Sequence, residues 1–563
     1  MEPWEKKAAG DDSDGPVTTK QEYVADAGAN GTEEEGSSLH RGLKARHITM
    51  IAIGGAIGTG LIIGTGSALA KAGPASVLIS YLIVGFIVWI VMCSLGEMAA
   101  WLPLPSGFTG YAVRFCDPAL GFALGYSYYF KYIIITPNQL TAAALVIQYW
   151  IKRDRVNPGV WIAIFLVIIV GINYFGIRFF GEFEFWLSSF KIVVIVGLIL
   201  LSLILALGGG PDRDRKGFRY WKDPGAFNTY ITTGDSGRFL AFWSTMVTAT
   251  FAYLGTELVG VTVGEAQNPR KTIPRAIKLT FYRILFFYIF SVFLLGMLVP
   301  YNSTELAFAT KQSNSANASP YVVAIKLAQI KILPDILNGC ILVFVFSASN
   351  SDLYIATRTI YGLAKEGKAP RILARTDRRG VPIYALALSS AFALLAFMNV
   401  SDDSKTIFGY FVNLVTIFGL LTWISILVTH IYFVNARIAQ GIEESTLAYK
   451  APLGKGGSYF ACAFCILVSF TKSYDVFINK KAGKFDYRNF VTAYLGIPIY
   501  LIMIFGYKFI TKTKGVAPHE ADLFTGKDAI DREEQEFLAR KEAERANNKQ
   551  ASWFYRIFVA WLF

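Results

Sequence analysis

Long apolar runs separated by short polar stretches set the organisation of this chain. Each run holds about 20 residues, enough for a helix to cross the roughly 30 Å hydrocarbon core of a bilayer. The runs lie at 47–71, 75–101, 118–150, 158–177, 185–208, 238–264, 276–300, 333–363, 382–400, 407–434, 457–475 and 490–511. The pattern therefore predicts an all-α polytopic membrane protein with twelve transmembrane helices.

Two of these runs are interrupted near their middle by almost the same phrase. The first contains Gly58-Thr59-Gly60-Leu61, and the sixth contains Gly255-Thr256-Glu257-Leu258. An unwound turn persists in a membrane only where its unpaired N–H and C=O groups line a cavity. Broken helices in both halves of a membrane protein indicate a transporter's substrate site. The alternative for the first span is close helix packing through its small residues.

The two ends of the chain differ from the apolar middle. Residues 1–46 are polar and acidic, and we expect them to form a disordered tail. Residues 47–511 are the predicted transporter domain. Residues 512–563 are rich in Glu, Lys and Arg and end in the aromatic segment SWFYRIFVAWLF, which is too short to span a bilayer. We therefore predict a second tail that lies on the membrane or on the protein.

Composition and charge support the membrane class and exclude others. Charged residues make up 17% of the chain, against about 25% in soluble domains. The net charge of +13 arises from basic residues at span ends, so it does not indicate nucleic-acid binding. Under the positive-inside rule both tails are cytoplasmic, although the basic stretches 152–155 and 480–488 fall outside in this topology. No cofactor is indicated, and we assign Cys462-x-x-Cys465 to membrane packing.

Several stretches carry a resemblance to a known family. They are GGAIGTGLIIGTG, GEMAAWLP, FGEFEFWLSSFKI, GTELVGVTVGEAQNPRKTIPRAI and SASNSDLYIATRTIYGLAKEGKAP. They resemble the fungal amino-acid transporters of the amino acid–polyamine–organocation superfamily, over residues 41 to 512. KYIIITPNQLTAAALVIQYWI further resembles the dicarboxylic amino acid permeases, which take up glutamate and aspartate with protons. The resemblance implies two five-helix inverted repeats, 47–208 and 238–434, followed by two helices in 457–511.

The two breaks supply most of the predicted substrate-binding residues. The half-helix that starts near Leu61 presents free N–H groups and a partial positive charge, which suit an α-carboxylate. Freed carbonyls in the sixth span suit an α-amino group. The residues assigned to these two roles are Ile57, Gly58, Thr59 and Gly60 in the first span and Phe251, Ala252, Tyr253 and Leu254 in the sixth.

Lys131 is a cation about a dozen residues into the third span. A lysine near a helix centre costs about 3 kcal/mol on insertion and is a functional candidate. Related permeases for neutral and basic substrates are expected to have an uncharged residue there and Glu in place of Gln139. On an ideal helix Asn138 lies within about 20° of Lys131 and Gln139 within about 80°. We predict that Lys131 balances a substrate side-chain carboxylate. The alternatives are snorkelling and a structural pair, for example with Glu97.

Two further charged residues lie inside predicted spans. Lys191 is in the fifth span, where the resemblance implies a lysine that takes the place of a sodium ion and changes protonation during transport. Its alternative is a structural tether to the first or eighth helix. Glu257 lies in the sixth-span break and is expected to ion-pair, to cap an unwound end or to carry a proton. Both residues are predicted to serve coupling or gating.

These features together predict a proton-coupled symporter for L-glutamate and L-aspartate in the plasma membrane, working by alternating access. Its expected partners are the acidic substrate, protons, membrane lipid and, through the tails, the ubiquitination and trafficking machinery. The alternatives are a broad-specificity or neutral amino-acid permease and an amino-acid-sensing receptor with little flux. Nothing outside the membrane resembles a nucleophile–base pair, so an enzyme is not expected.

Overall fold

The computed structural model describes residues 58–104, 106–175, 177–258, 269–304, 306, 319–400, 404–478, 485–528 and parts of 531–539. Every regular element within these residues is helical. The α-helices are α1 Thr65–Ala72, α2 Pro74–Trp101, α3 Gly107–Phe115, α4 Pro118–Ile147, α5 Pro158–Tyr174, α6 Ile177–Ala206, α7 Gly234–Tyr253, α8 Pro269–Arg283, α9 Ser291–Leu298, α10 Pro320–Leu327, α11 Leu333–Lys365, α12 Ile383–Ala393, α13 Ser404–Ala439, α14 Gly454–Thr471, α15 Asp475–Ile478, α16 Tyr487–Tyr494 and α17 Gly496–Thr511. The predicted tail 1–46 and Ile57 lie outside the described residues.

Tighter and wider helical turns extend several of these helices. A π-helical turn, Gly60–Gly64, precedes α1, and a second one, Ile284–Phe290, joins α8 to α9. A 3₁₀ segment, Leu394–Val400, continues α12. These joins make single long helices out of elements that would otherwise be too short to cross a bilayer.

Eight of the described helical runs are long and apolar enough to span a membrane. They are α2, α4, α6, α8 with α9, α11, α12 with its 3₁₀ segment, α13, and α14 with α15. A ninth candidate is the pair α16 and α17, which is bent by 40°. The apolar helix α5 has 17 residues, and the first and sixth predicted spans are described only in part. The protein is therefore an all-helical, multi-pass membrane protein over the described chain.

Local sequence explains where α4 and α5 begin. The Asp117 side chain accepts a hydrogen bond from the Ala119 N–H at 2.8 Å, and Pro118 occupies the first helical position. Asn157 does the same for Gly159 ahead of α5. A capping side chain satisfies one of the free N–H groups, and proline needs none at that position. Both helices thus start at the predicted residues.

The outer and inner helices divide the apolar surface between lipid and protein. Large apolar side chains on α5, α6 and α17 face outward, with Val167 72%, Val193 70% and Phe509 87% exposed. Such an apolar exterior suits lipid rather than water. In contrast, α4 is the most buried candidate span and packs chiefly against α11 and α13. Polar side chains on α4 therefore face protein and not lipid.

A short segment after α17, residues 516–525, is bound to the helix ends. The Trp101 indole N–H at the end of α2 donates to the Leu523 carbonyl at 2.9 Å. Arg114 of α3 pairs with Asp522 at 3.4 Å, and Leu523 is fully buried. The first part of the predicted C-terminal tail is thus docked onto the helical bundle.

Candidate functional site

The sixth predicted span is broken where the sequence indicates. The helix α7 ends at Tyr253, and Leu254 is extended, with φ −61° and ψ 140°. Gly255 follows at φ +98°, a conformation that a side chain disfavours. Residues 254–257 form a turn, and Leu258 is helical again. The predicted interruption is confirmed, and Gly255 is the residue that permits it.

The turn satisfies only part of its own backbone. The Phe251 carbonyl accepts from the Leu254 N–H at 3.3 Å. The Tyr253 carbonyl accepts from the Thr256 N–H at 3.4 Å and from the Thr256 hydroxyl at 3.0 Å. Among the described residues, no backbone N–H of the turn donates to the Ala252 carbonyl. That carbonyl is left to accept from another partner.

The start of the first predicted span lies against the break in the sixth. The described chain starts at Gly58, and the backbone is helical from Thr59 onward, so the predicted unwinding is wrong for Thr59 and Gly60. A Cβ atom placed on Gly60 would lie 2.5 Å from the Ala252 Cα, so the two backbones are in direct contact. A Cβ atom on Gly58 would meet no described atom within 4 Å. Gly60 is therefore required for packing, whereas no described atom restricts a side chain at Gly58.

A small cavity lies between the start of the first span, the break in the sixth span and α4. Its volume is about 20 Å³, which is room for about one water molecule, so side chains must move before a larger ligand fits. The predicted substrate-binding residues that line it are Gly58, Thr59, Gly60, Lys131, Gln139, Phe251, Ala252 and Leu254. Tyr132, Ile135, Gly255 and Asp352 complete the lining. The structure thus brings most of the predicted site together.

Lys131 forms an ion pair with Glu257 at the edge of this cavity. The two side chains are 0% and 1% exposed, so the pair is excluded from solvent. The Lys131 ammonium also lies 4.6 Å from the centre of the Tyr132 ring, within the range of a cation–π contact. The pair joins α4 to the break in the sixth span.

Glu257 has two further hydrogen-bond donors. The Gly255 N–H lies 3.1 Å from Oε2 and 3.3 Å from Oε1, so the carboxylate caps the unwound turn. The Trp423 indole N–H of α13 donates to Oε2 at 3.3 Å. The Glu257 carboxylate therefore connects the sixth-span turn to α4 and to α13.

Glu97 is not the partner of Lys131. Its carboxylate accepts from the Ala451 N–H at 2.8 Å and lies 3.3 Å from the His430 Nε2. The His430 Nδ1 in turn lies 2.8 Å from the Ser458 hydroxyl. Lys131 does form a structural ion pair, as one of the alternatives predicts, but its partner is Glu257 and not Glu97.

Two predicted residues do not line the cavity. Asn138 is fully buried, and both polar atoms of its amide lack a hydrogen-bond partner among the described residues. The Tyr253 ring stacks on Tyr288 at 4.5 Å between centres, and its hydroxyl donates to the Tyr81 carbonyl at 3.0 Å. Tyr253 therefore packs against α2 and the turn after α8.

Lys191 lies apart from the cavity, in a second buried charge cluster. Its ammonium is 3.7 Å from a Glu184 carboxylate oxygen, and both side chains are 0% exposed. The Ser347 hydroxyl of α11 donates to that same oxygen at 2.6 Å. Lys191 is thus linked through Glu184 to the eighth predicted span.

Asp352 is a buried acid in the cavity wall that the sequence reasoning missed. It lies on α11 and is 8% exposed. The Gln139 amide nitrogen donates to its Oδ2 at 3.3 Å. A cation and a carboxylate, Lys131 and Asp352, therefore line the same small space.

Comparison with known proteins decides the family. The model of the amino acid permease family matches residues 47–517. The chain belongs to the amino acid permease family. The resemblance to the fungal amino-acid transporters is thereby confirmed. The narrower resemblance to the dicarboxylic amino acid permeases is confirmed by a relative of that name.

This permease is similar to proteins of differing named specificity. It is 56% identical to the dicarboxylic amino acid permease of Saccharomyces cerevisiae, covering 94% of this chain and 88% of that one. It is 39% identical to the proline-specific permease of Emericella nidulans, with 95% of each covered. It is 40% identical to the lysine-specific permease of Saccharomyces cerevisiae, with 85% and 77% covered. Family membership establishes amino-acid transport, and the substrate has to be argued from the site.

Asp352, the cavity residue that the sequence prediction missed, has a signal in the sequence of this transport protein, because SNSD places an acid inside an apolar span. An intramembrane acid is a functional candidate on the same grounds as Lys131.

Proposed function

We propose that this permease takes up L-glutamate and L-aspartate across the plasma membrane together with protons, by alternating access. The observation that carries the proposal is the position of Lys131. Its buried ammonium lines the cavity that lies between the start of the first span and the break in the sixth. The similarity to a permease named for dicarboxylic amino acids supports the same substrate class.

The start of the first span and the break in the sixth supply complementary groups for the α-carboxylate and the α-ammonium group of an amino acid. The first N–H groups of a helix have no intrahelical acceptor and carry a partial positive charge, which suits the α-carboxylate near Gly58 and Gly60. The Ala252 carbonyl on the opposite wall suits the α-ammonium group. Any amino acid satisfies these contacts, so they give the class and not the side-chain preference.

Lys131 gives the side-chain preference in this proposal. An ammonium group has three N–H donors. One of them goes to Glu257, which also has the Gly255 and Trp423 N–H groups, and a second goes to the Tyr132 hydroxyl at 3.5 Å. The third donor is available to the distal carboxylate of a substrate that enters the cavity. Gln139 beside it adds a polar group without a negative charge.

A neutral amino-acid permease is the second candidate, and the same ion pair favours it. If Glu257 fully neutralises Lys131, the cavity offers no excess positive charge to a second carboxylate. The two candidate functions, transport of acidic and of neutral amino acids, differ in one measurable quantity, the affinity for glutamate relative to glutamine. These substrates have nearly the same size but differ by one charge.

Uptake of labelled glutamate by cells that express the permease tests the proposal. Unlabelled glutamate and aspartate should compete far better than glutamine, proline or lysine. Uptake should rise as external pH falls, collapse with a protonophore and not require sodium. Equal competition by glutamine and glutamate would favour the neutral permease. Binding without concentrative uptake would instead favour a sensing receptor.

The wider architecture in this proposal follows the family pattern. Twelve spans form two inverted repeats of five helices and two further helices, with both tails in the cytoplasm. Lys191 and Glu257 serve coupling, and the tails, with Lys6, Lys7 and Lys20, meet the ubiquitination and trafficking machinery. Counting the partly described first and sixth spans, α5 and the bent pair α16–α17 with the eight candidate spans supports the number twelve.

A further inference from the structure

Asp352 has no role in the function proposed so far, yet it lines the substrate cavity. The only hydrogen bond that its carboxylate accepts from a described side chain comes from the Gln139 amide at 3.3 Å. The residue is 8% exposed and is surrounded by α4 and α6. A buried carboxylate with so few donors is costly when ionised and is easily neutralised by a proton.

The groups that face Asp352 define the charge of this region. They are Tyr128, Lys131, Tyr132 and Gln139 of α4 and Glu184 and Lys191 of α6, with Glu257 behind Lys131. Both lysines already have their own carboxylates, Lys131 with Glu257 and Lys191 with Glu184, and a third buried cation, Arg283, lies on the side of Glu257. Asp352 is the carboxylate of this group that forms no ion pair of its own among the described residues.

An acidic amino acid brings one more net negative charge into this enclosed space. Like charges that share a dry site disfavour the second ionisation. Either the substrate is repelled or one carboxylate gains a proton. Glu257 keeps a cation and two N–H donors, whereas Asp352 keeps one amide donor. Asp352 is the group on which a proton relieves the excess.

We propose that Asp352 takes up a proton when the acidic amino acid binds and releases it when the substrate leaves, so that the two travel together. The proton passes from external water to a carboxylate oxygen and later from that oxygen to water on the other side. This inference rests on the proposed function, since only an acidic substrate requires the proton.

The surroundings of Gln139 suit a protonated Asp352. The Gln139 carbonyl oxygen is buried and has no hydrogen-bond partner among the described residues. A carboxylic acid, unlike a carboxylate, has an O–H donor. Protonated Asp352 can donate to that oxygen or to the substrate's own carboxylate. The new donor satisfies an acceptor that the ionised form leaves unpaired.

The assignment also fixes the charge that moves with each substrate. Glutamate has a net charge of −1, so one proton gives electroneutral uptake. If Lys191 carries one proton and Asp352 a second, each glutamate brings one net positive charge inward. The membrane potential, negative inside, then favours accumulation of the substrate. Losing the Asp352 proton would make uptake electroneutral.

Binding of labelled glutamate to the purified permease in lipid nanodiscs, between about pH 5 and pH 8, tests the inference. The dissociation constant of the wild type should rise up to about tenfold per pH unit across part of this range. Asp352→Asn imitates the protonated acid, so its dissociation constant should stay near the wild-type low-pH value at every pH. Asp335→Asn makes the same change at the exposed start of α11 and should keep the wild-type pH dependence.

The outcomes separate this inference from the proposed function. A wild type that binds neutral amino acids but not glutamate overturns both. A wild-type pH dependence that persists in Asp352→Asn, or a monodisperse Asp352→Asn protein that binds no glutamate, overturns the Asp352 inference alone. A measurement on the wild type makes the test independent of the variant's folding. Glutamate binding in weak buffer should take up protons from solution, and no uptake would refute the assignment.

Discussion

Removing the charge of Lys131 separates its structural role, the ion pair with Glu257, from its proposed role in binding the substrate carboxylate. Lys131→Met deletes the cation and keeps most of the side-chain volume. It also leaves Glu257, at 1% exposure, without its counter-charge. Breaking a buried pair by removing one partner typically costs about 3–5 kcal/mol. The N–H groups of Gly255 and Trp423 remain, so we expect a loss near the lower end of that range.

The double variant Lys131→Met/Glu257→Gln removes that penalty. Glutamine keeps an oxygen for the Gly255 N–H and the Trp423 indole, and neither member of the ion pair is left charged without the other. Replacing a buried ion pair by neutral groups is often close to neutral for stability. The double variant should therefore unfold near the wild-type temperature, whereas Lys131→Met alone should unfold earlier. This difference isolates the structural part of the lysine's contribution.

Substrate binding should not recover with stability. A charge-assisted hydrogen bond in a dry site is worth about 2–3 kcal/mol, which corresponds to about 100-fold in affinity. If Lys131 also balances the distal carboxylate, the double variant should bind glutamate about 100-fold more weakly than the wild type. Glutamine has no such carboxylate, and its affinity should change far less.

Two measurements on the same purified samples check this prediction. Thermal unfolding reports stability, and scintillation proximity binding with labelled glutamate, competed by glutamate or glutamine, reports affinity. Glu257→Gln alone is the matched control, because it keeps the cation and removes the anion. A double variant that binds glutamate as tightly as the wild type would refute the substrate role of Lys131, leaving it a purely structural cation.

Three further predictions test other parts of the site and fold. Gly60→Ala should be destabilised by about 1–3 kcal/mol through overpacking, while Gly58→Ala should unfold like the wild type but bind substrate more weakly; equal unfolding temperatures would contradict this. Lys191→Arg should bind glutamate yet fail to accumulate it, because a guanidinium does not release its proton, and normal accumulation in cells would exclude a titrating Lys191. Arg114→Glu should speed limited proteolysis after α17, and adding Asp522→Arg should restore protection; unchanged cleavage in both would count against the docked segment.

Local chemistry made the helix starts and the break in the sixth span predictable. Asp117-Pro118 carries both a cap and a first-turn proline, and the third span begins there in the structure. Gly255 adopts φ +98°, as expected of a glycine that interrupts an apolar run. These features depend on residues next to each other in sequence, so a single chain suffices to find them.

The partner of Lys131 could not be found in this way. Lys131 and Glu257 are 126 positions apart, and their contact depends on how α4 packs against the sixth-span break. The sequence offered several buried carboxylates and no means to choose among them. Asp352 was missed for a related reason, since nothing local relates α11 to the cavity.

The cavity-lining face of α4 was predicted wrongly at Asn138, and the reason is geometric. Tyr132, Ile135 and Gln139 line the cavity with Lys131. On an ideal helix they lie about 100°, 40° and 80° from Lys131 in one direction, and Asn138 lies about 20° away in the other. Lys131 is therefore at the edge of the lining face and reaches the cavity by its long side chain. A prediction that places Lys131 at the centre of the lining face wrongly includes Asn138 among the substrate-binding residues.

The contact between Gly60 and Ala252 also couples the first span to the sixth. A Cβ atom added to Gly60 would lie 2.5 Å from the Ala252 Cα, so backbone meets backbone at this point. Side chains at an ordinary helix interface can change rotamer and absorb a small displacement, but bare backbone cannot. A ligand that moves the first span toward the sixth at this contact must therefore also move Ala252, which lies in the wall of the same cavity.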